Sequence, residues 1–580
     1  MSATAALSSY PVTYPADPVG LDDLDLDLEA EEARSWDASA STTTTTDEWT
    51  STEEEDAEVS AESELGALVG MRRRILGPNL SLLYNEPIHL VRGSGCYLVD
   101  RQNKRYLDAV NNVPIVGHSE PRVAEAVSEA MRTLNTNIRY IREDYLDYAE
   151  ELLAMFPAGL DTVYFCNSGS EANDLALRIA REVGHAEARR DVVVMDGAYH
   201  GHTEACIEIS PYKFNRAGGK GKPETTHVMP LPDTCRGKGL DGGAEAEKIL
   251  EASRRAGRPA PCAFICESLL SCGGQVILPP GYLKGVYGAM RRFGAVCIAD
   301  EVQCGFGRTG AHFWGFQNQG VVPDIVILGK SIGNGFPLSA VVLRRELAEK
   351  FSSGGMEYFN TFGGCNAAVA AGHAVLRVIK QDRLQENARV VGKHILESLR
   401  ALARDFDVIG DVRGIGLFAG IEFVTSKSTL LHAPSVAKFV CNSCKDRLVL
   451  VSTDGMHSNV IKIKPPVCFS MEEADVLVST IRAALTEVSY TISLSLSLSL
   501  SCPGILGADH LSSPQDLTED ILPGLLQADL DYNLKFQRER TQQRAMTVSL
   551  SRGQAQIVGF CAATAIMAGA LAYSSWRSKS

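Results

Sequence analysis

The sequence has no broad cluster of basic residues, only one close cysteine pair and no complete phosphate-loop signature, and each shortage removes a class of function. A nucleic-acid groove needs a clustered basic face, whereas here 56 Lys and Arg stand against 71 Asp and Glu, a net charge of -15. That imbalance is local: residues 1–70 hold 18 acidic side chains and one basic, which leaves 55 basic against 53 acidic in the rest. Cys441 and Cys444 lack a second pair, and His200 and His202 lack a third ligand cluster at zinc-like spacing, so no metal site is expected. Several other cysteines fall in apolar runs, which suits reduced core thiols in a reducing compartment. Gly329-Lys330-Ser331 has the ending of a phosphate loop, but the glycine required five positions before Gly329 is Asp324.

The 580 residues suffice for two domains with large cores. Residues 1–65, with their Asp-Leu alternation, threonine run and acidic stretch, read as a disordered tail, too acidic at the extreme amino end for a presequence or secretory signal. A start at Met71, giving Met-Arg-Arg-Arg, would change that. Cytoplasm or mitochondrion is the expected location. At the other end, residues 493–501 alternate serine and leucine as a low-complexity linker would, and residues 557–573 are uncharged and alanine-rich, near the lower length limit for a membrane span. A carboxyl-terminal anchor, or a short amphipathic or packed helix, would fit this stretch.

Chemistry is concentrated at the ends of short apolar runs. Lys330 follows Ile325-Val-Ile-Leu-Gly329, and Asp300 ends Ala295-Val-Cys-Ile-Ala299. A lysine and an aspartate delivered by buried strands are what pyridoxal phosphate chemistry needs: the amine holds the aldehyde, and the carboxylate keeps the pyridine nitrogen protonated. Taken singly, the lysine would be solvated and the aspartate a cap or loop residue. A third strand leads into Asn167-Ser168-Gly169-Ser170 and a helical pattern, where backbone amides backed by the helix dipole suit a phosphate, or where Ser168 is simply a cap. A fourth delivers Tyr199-His200-Gly201, an aromatic able to stack on the ring, and a fifth ends in Glu267. Polar residues at the carboxyl ends of successive strands mark the ligand site of an open parallel sheet.

In order and spacing, Asn167-Ser-Gly-Ser-Glu-Ala-Asn173, Tyr199-His-Gly201, Ala299-Asp-Glu-Val-Gln303, Gly305-Phe-Gly-Arg-Thr-Gly310, Leu328-Gly-Lys-Ser331 and Asn360-Thr-Phe-Gly-Gly364 resemble class III pyridoxal phosphate-dependent aminotransferases. The resemblance runs from about Arg74 to about Val488. It implies an α/β fold of type I, with a large domain built on a mostly parallel seven-stranded sheet and a smaller α+β domain from both chain ends. The expected divisions are residues 66–120 as lead-in and first part of the small domain, 121–385 as the large domain, 386–488 as the rest of the small domain, and 489–580 as linker and tail. It also implies a homodimer or dimer-based homotetramer with sites at the interface. Carried over, Ser168, Gly169 and Ser170 hold the phosphate, Tyr199 stacks and Asp300 faces the pyridine nitrogen. Gln303 stands near the phenolic oxygen, Glu267 is a buried support, and Lys330 carries the cofactor. Thr361 reaches the phosphate of the neighbouring subunit, and Arg413 binds a substrate carboxylate, a task suited to its planar fork.

Further segments are similar to the phospho-lyase branch of this family, which eliminates phosphate from phosphoethanolamine or 5-phosphohydroxy-L-lysine: Ile209-Ser-Pro-Tyr-Lys-Phe214, Ser271-Cys-Gly-Gly-Gln275, Gly355-Met-Glu-Tyr-Phe-Asn-Thr361 and Ile461-Lys-Ile-Lys-Pro-Pro466. Phe336, Glu120 and Cys304 depart from the expected pattern, the first two replacing histidine. The implied substrate is a small phosphorylated amine, with Lys213, Lys462 and Lys464 as candidates to hold the leaving phosphate. An amine or ω-amino acid transaminase uses the same site, and Arg413 suits it. A silent tethered scaffold is the reading from another class, against which the retention of Asp300, Lys330 and Thr361 argues.

Overall fold

The computed structural model describes residues 52–184 and 188–501, with five further positions between 528 and 535. It divides into residues 1–79 and 80–580. Of the first unit, a helix spans Thr52–Ile75, so helix begins inside the stretch expected to be a disordered tail. Glutamate, alanine and leucine are good helix formers, and Arg72, Arg73 and Arg74 in the last turn oppose the dipole favourably.

Among the described residues of the second unit are fifteen strands. Leu90–Ser94 (β1), Tyr97–Asp100 (β2) and Arg105–Asp108 (β3) form an antiparallel meander. The large sheet takes Thr162–Cys166 (β4), Val192–Met195 (β5), Thr226–Met229 (β6), Ala263–Glu267 (β7), Val296–Asp300 (β8), Ile325–Leu328 (β9) and Ser339–Leu343 (β10). The smaller region holds Ile409–Ile415 (β11), Phe418–Phe423 (β12), Val449–Leu450 (β13), Ser452–Asp454 (β14) and Val460–Ile463 (β15).

The seven large-sheet strands run in the order β4-β10-β9-β8-β7-β5-β6, and β10 alone is antiparallel to its neighbours. This is the expected type I architecture, with β11-β12-β15-β14 as a separate antiparallel sheet. Continuous apolar runs such as Val192–Met195 form such strands because both faces are covered. Val192 and Val194 pack towards the helix Gly169–Val183, while Val193 and Met195 face the helices Gly242–Arg255 and Tyr282–Arg292. Strand β13 pairs in parallel with β3, tying a carboxyl-terminal strand to the amino-terminal meander.

The helix Met471–Ser501 passes straight through the serine-leucine alternation expected to be a linker. Leucine favours helix, neither glycine nor proline interrupts, and the packed turns that carry buried Leu477, Ile481 and Leu485 supply the nucleus from which it propagates. Among the described residues no helix is long and apolar enough to cross a membrane; residues 557–573 lie outside them.

Candidate active site

Five of the six parallel strands of the large sheet, β4, β5, β7, β8 and β9, lead at their carboxyl ends to the residues singled out in the sequence. Gly169, Ser170, Tyr199, Asp300, Gln303 and Lys330 line one cavity, joined by Asn173, His200, Gly201 and Val302. Lys330 begins a short 3-10 helix directly after β9, with φ of 41°. Its amine has no hydrogen-bond or ion-pair partner among the described residues.

Asp300, at the end of β8, is 2% exposed and already oriented. His200 Nδ1 donates to its Oδ2 at 2.8 Å, Asn173 Nδ2 donates to the same oxygen at 3.0 Å, and the Val302 amide donates to Oδ1 at 3.1 Å. Strand register places Glu267 beside Asp300. Glu267 accepts the amides of Tyr199 and Ser271 at 3.2 and 3.0 Å. Burial pushes its carboxyl up to about 7, with His200 opposing and the Asp300 charge reinforcing the rise. The neighbouring Glu301 serves the fold: it accepts from Ser268 and from the amides of Gly315 and Phe316.

On the phosphate side, Ser168 caps the helix Gly169–Val183 by accepting the Glu171 amide at 3.2 Å, and it does not line the cavity. Ser170 Oγ accepts the His202 amide at 3.0 Å. Gly201, at φ of 130°, lies so close that a Cβ there would stand 2.5 Å from Ser170 Oγ. A side chain would push the Tyr199 loop off the helix start. Helix-end amides, an unpartnered amine and an oriented buried carboxylate around one cavity are the donor set that a phosphate-bearing pyridine aldehyde requires.

Gln303 carries a network absent from the sequence reading. Its Oε1 accepts from Asn112 Nδ2 at 2.9 Å and from Lys464 Nζ at 2.8 Å. Asn112 and Lys464 come from segments 191 and 161 positions away, which no local pattern reveals. Asn173 and His200 sat inside quoted motifs, one turn into the helix and one residue after Tyr199, yet their bonds to Asp300 follow only from the packing.

The substrate candidates separate. Lys213 Nζ stands 5.5 Å from the Tyr199 ring centroid, beside the cavity. Lys462 pairs with Asp454 at 3.3 Å and Lys464 is 1% exposed behind Gln303, so neither fronts the cavity. Arg413 points elsewhere: Nη1 donates to Asp411 at 2.9 Å and Glu422 at 2.7 Å, while Nε and Nη2 donate to the Gly274 carbonyl at 2.9 and 2.7 Å. Thr361 is exposed and lies outside the lining of the Lys330 cavity. Of the departures, Glu120 caps the helix Pro121–Thr133 through the Arg122 amide, and Cys304 is buried against Glu301 at 3.4 Å.

The chain is 45% identical over 432 residues to the alanine-glyoxylate aminotransferase 2-like protein of Drosophila melanogaster, covering 72% of this chain and 87% of that one. It is 40% identical to ethanolamine-phosphate phospho-lyase homolog 1 of Caenorhabditis elegans, covering 69% and 89%. Among solved structures, a phospholyase from Arthrobacter in complex with phosphoethanolamine superposes with a TM-score of 0.68 at 38% identity, covering 72% of this chain and 99% of that one. Residues 83–485 match Aminotransferase class-III, and the chain belongs to that family of pyridoxal phosphate-dependent enzymes.

Proposed function

We propose that the protein is a phospho-lyase that eliminates phosphate from a small phosphorylated amine, phosphoethanolamine or 5-phosphohydroxy-L-lysine. The observation that carries this reading is the engagement of Arg413. With four hydrogen bonds to Asp411, Glu422 and Gly274, the arginine expected to bind a substrate carboxylate is already satisfied away from the cavity. A substrate that lacks a carboxylate and is anchored by its phosphate has no need of it. Phosphoethanolamine, the ligand named with the Arthrobacter phospholyase, is such a substrate.

Pyridoxal phosphate supplies an electron sink when bound. Asp300, held by His200 and Asn173, would keep a proton on the ring nitrogen, while Tyr199 would flank the ring and Gly169, Ser170 and the helix start would hold the phosphate. Glu267 supports the Tyr199 loop from behind. Lys330, whose amine is unpartnered among the described residues, would hold the aldehyde and, when free of it, would take the proton from the substrate carbon bearing nitrogen. The adjacent C–O bond then breaks with its electron pair leaving on phosphate, and the unsaturated amine left behind is hydrolysed to a carbonyl compound and ammonia. These products are acetaldehyde from phosphoethanolamine or 2-aminoadipate semialdehyde from the hydroxylysine phosphate. Lys213 supplies positive charge where the departing phosphate gains its own.

A homodimer is part of this reading. Tyr140, Ile141, Met356 and Phe362 are exposed, Ile141 by 96%, and Arg139 joins their segments by pairing with Glu357 at 3.2 Å and lying 4.0 Å over the Phe359 ring. A second copy on this apolar face would bring Thr361 to a neighbouring site. The test is to supply each phosphorylated amine and measure phosphate and ammonia, with and without a keto acid, in the parent and in Lys213→Ala. Keto-acid-independent release that falls about 10-fold or more in Lys213→Ala, with cofactor loading unchanged, is expected. Amine transfer that requires a keto acid would make the protein a transaminase.

A further inference from the structure

Lys464 is the least explained charged residue of the site. It follows β15, its backbone amide donates to the Ala109 carbonyl at 2.8 Å, and its side chain runs inward to 1% exposure. There Nζ donates to Ser271 Oγ and Gln303 Oε1 and lies 5.5 Å from the Phe418 ring centroid. Among the described residues no carboxylate pairs with it: nearby Asp454 is taken by Lys462, and Asp300 by His200 and Asn173. Burial holds the ammonium well below its usual range, the Lys462 and Lys330 charges push the same way, and Cys272 and Asp454 oppose them. A methionine would fill the space without desolvating an amine, so packing does not account for a lysine here.

The bond to Gln303 does. An amide oxygen accepts and cannot donate, so two donors, Lys464 Nζ and Asn112 Nδ2, fix which end of the Gln303 amide is oxygen. The amide nitrogen is then the end left for the cavity, its weak contact to Cys272 Sγ being 3.8 Å long. We propose that Lys464 is a positioning residue, which together with Asn112 locks the Gln303 amide so that its N–H groups are presented to the phenolic oxygen of bound pyridoxal phosphate. Without the lock the amide can turn over and offer its oxygen to an oxygen, which is repulsive.

The consequence is a shift in the cofactor's own titration. A donor at the phenolic oxygen favours the more negative, deprotonated form of the link between Lys330 and the cofactor, and any positive charge on Lys464 acts in the same sense. Both lower the pH at which the link loses its proton. The role rests on the cofactor occupying the Lys330 cavity and not on the phospho-lyase reading, because titration of the resting enzyme involves no substrate.

The experiment is a spectrophotometric pH titration of the cofactor-loaded enzyme with Lys464→Met, Lys464→Gln and Asn112→Ala. In Lys464→Met the midpoint is expected to rise by about one pH unit with the cofactor still bound. Lys464→Gln, which keeps an uncharged donor to Gln303, is expected to recover at least half of that shift. Asn112→Ala, which removes the other donor and serves if Lys464→Met does not fold, is expected to rise by a smaller amount. A midpoint unchanged in Lys464→Met or in Asn112→Ala overturns the proposal, as does a Lys464→Gln enzyme displaced as far as Lys464→Met.

Discussion

Glu267 and Asp300 stand side by side at the ends of β7 and β8, two buried carboxyls of opposite assignment. Asp300 receives three donors, two of them side chains, whereas Glu267 accepts only two backbone amides and burial lifts its carboxyl to about 7. Because its folded value lies above the 4.5 of a free carboxyl, Glu267 contributes stability that is whole below about 4.5 and is lost as pH rises through 7. A tenfold change in proton affinity on folding corresponds to about 1.4 kcal/mol. Glu267→Gln is therefore expected to flatten the decline in stability across that window. Urea midpoints measured from pH 4.5 to 7.5 would check it, and equal slopes in parent and variant would remove the assignment. That Lys330, Asp300 and Tyr199 meet at one cavity was legible in sequence, because each lies at or within a few residues of the end of an apolar run whose partner strands are forced by burial. Arg413 illustrates the opposite case: its type and motif are visible, but which way its fork turns depends on Glu422 and Gly274, brought together only by the packed chain.

Among the elements, the contact between the helix start at Gly169 and the loop after β5 shapes one side of the Lys330 cavity. Gly201 permits it by adopting φ of 130° with its α-carbon against Ser170, a conformation L side chains rarely take. Gly201→Ala is expected to fold with a lowered melting temperature, by roughly 2 kcal/mol or more of stability, and to bind pyridoxal phosphate at least about 10-fold more weakly. Equilibrium dialysis would read the binding, and unchanged affinity would mean that the loop does not shape the phosphate site. The alternation of serine and leucine near the carboxyl end and the acid-rich stretch after Thr52 show where composition misleads about elements. Both are helical, because helix formers without glycine or proline extend a helix once a turn exists, whatever their period of hydrophobicity. The large sheet, by contrast, was readable strand by strand, since runs buried on both faces leave little choice of class.

For the molecule as a whole, one subunit holds Lys330 and Asp300 in its cavity while Thr361 faces outward. If Thr361 serves a neighbour, Lys330→Ala and Thr361→Ala chains should complement. A hybrid dimer then has one site combining the Lys330 of the second chain with the Thr361 of the first. Mixing the two variants under conditions of subunit exchange is expected to restore tight cofactor binding and up to a quarter of parental activity, about half the molecules being hybrids with one good site each. Activity no greater than the sum of the separate variants would place Thr361 outside any shared site. The central claim, elimination and not amine exchange, is tested most directly by counting turnovers of the cofactor-loaded enzyme with phosphoethanolamine and no keto acid. Many equivalents of phosphate, ammonia and acetaldehyde per site, in equal amounts and with the cofactor spectrum persisting, are expected. Reaction that stops at one equivalent of transferred amine per site, with phosphate retained on the product and the aldehyde spectrum lost, would contradict it.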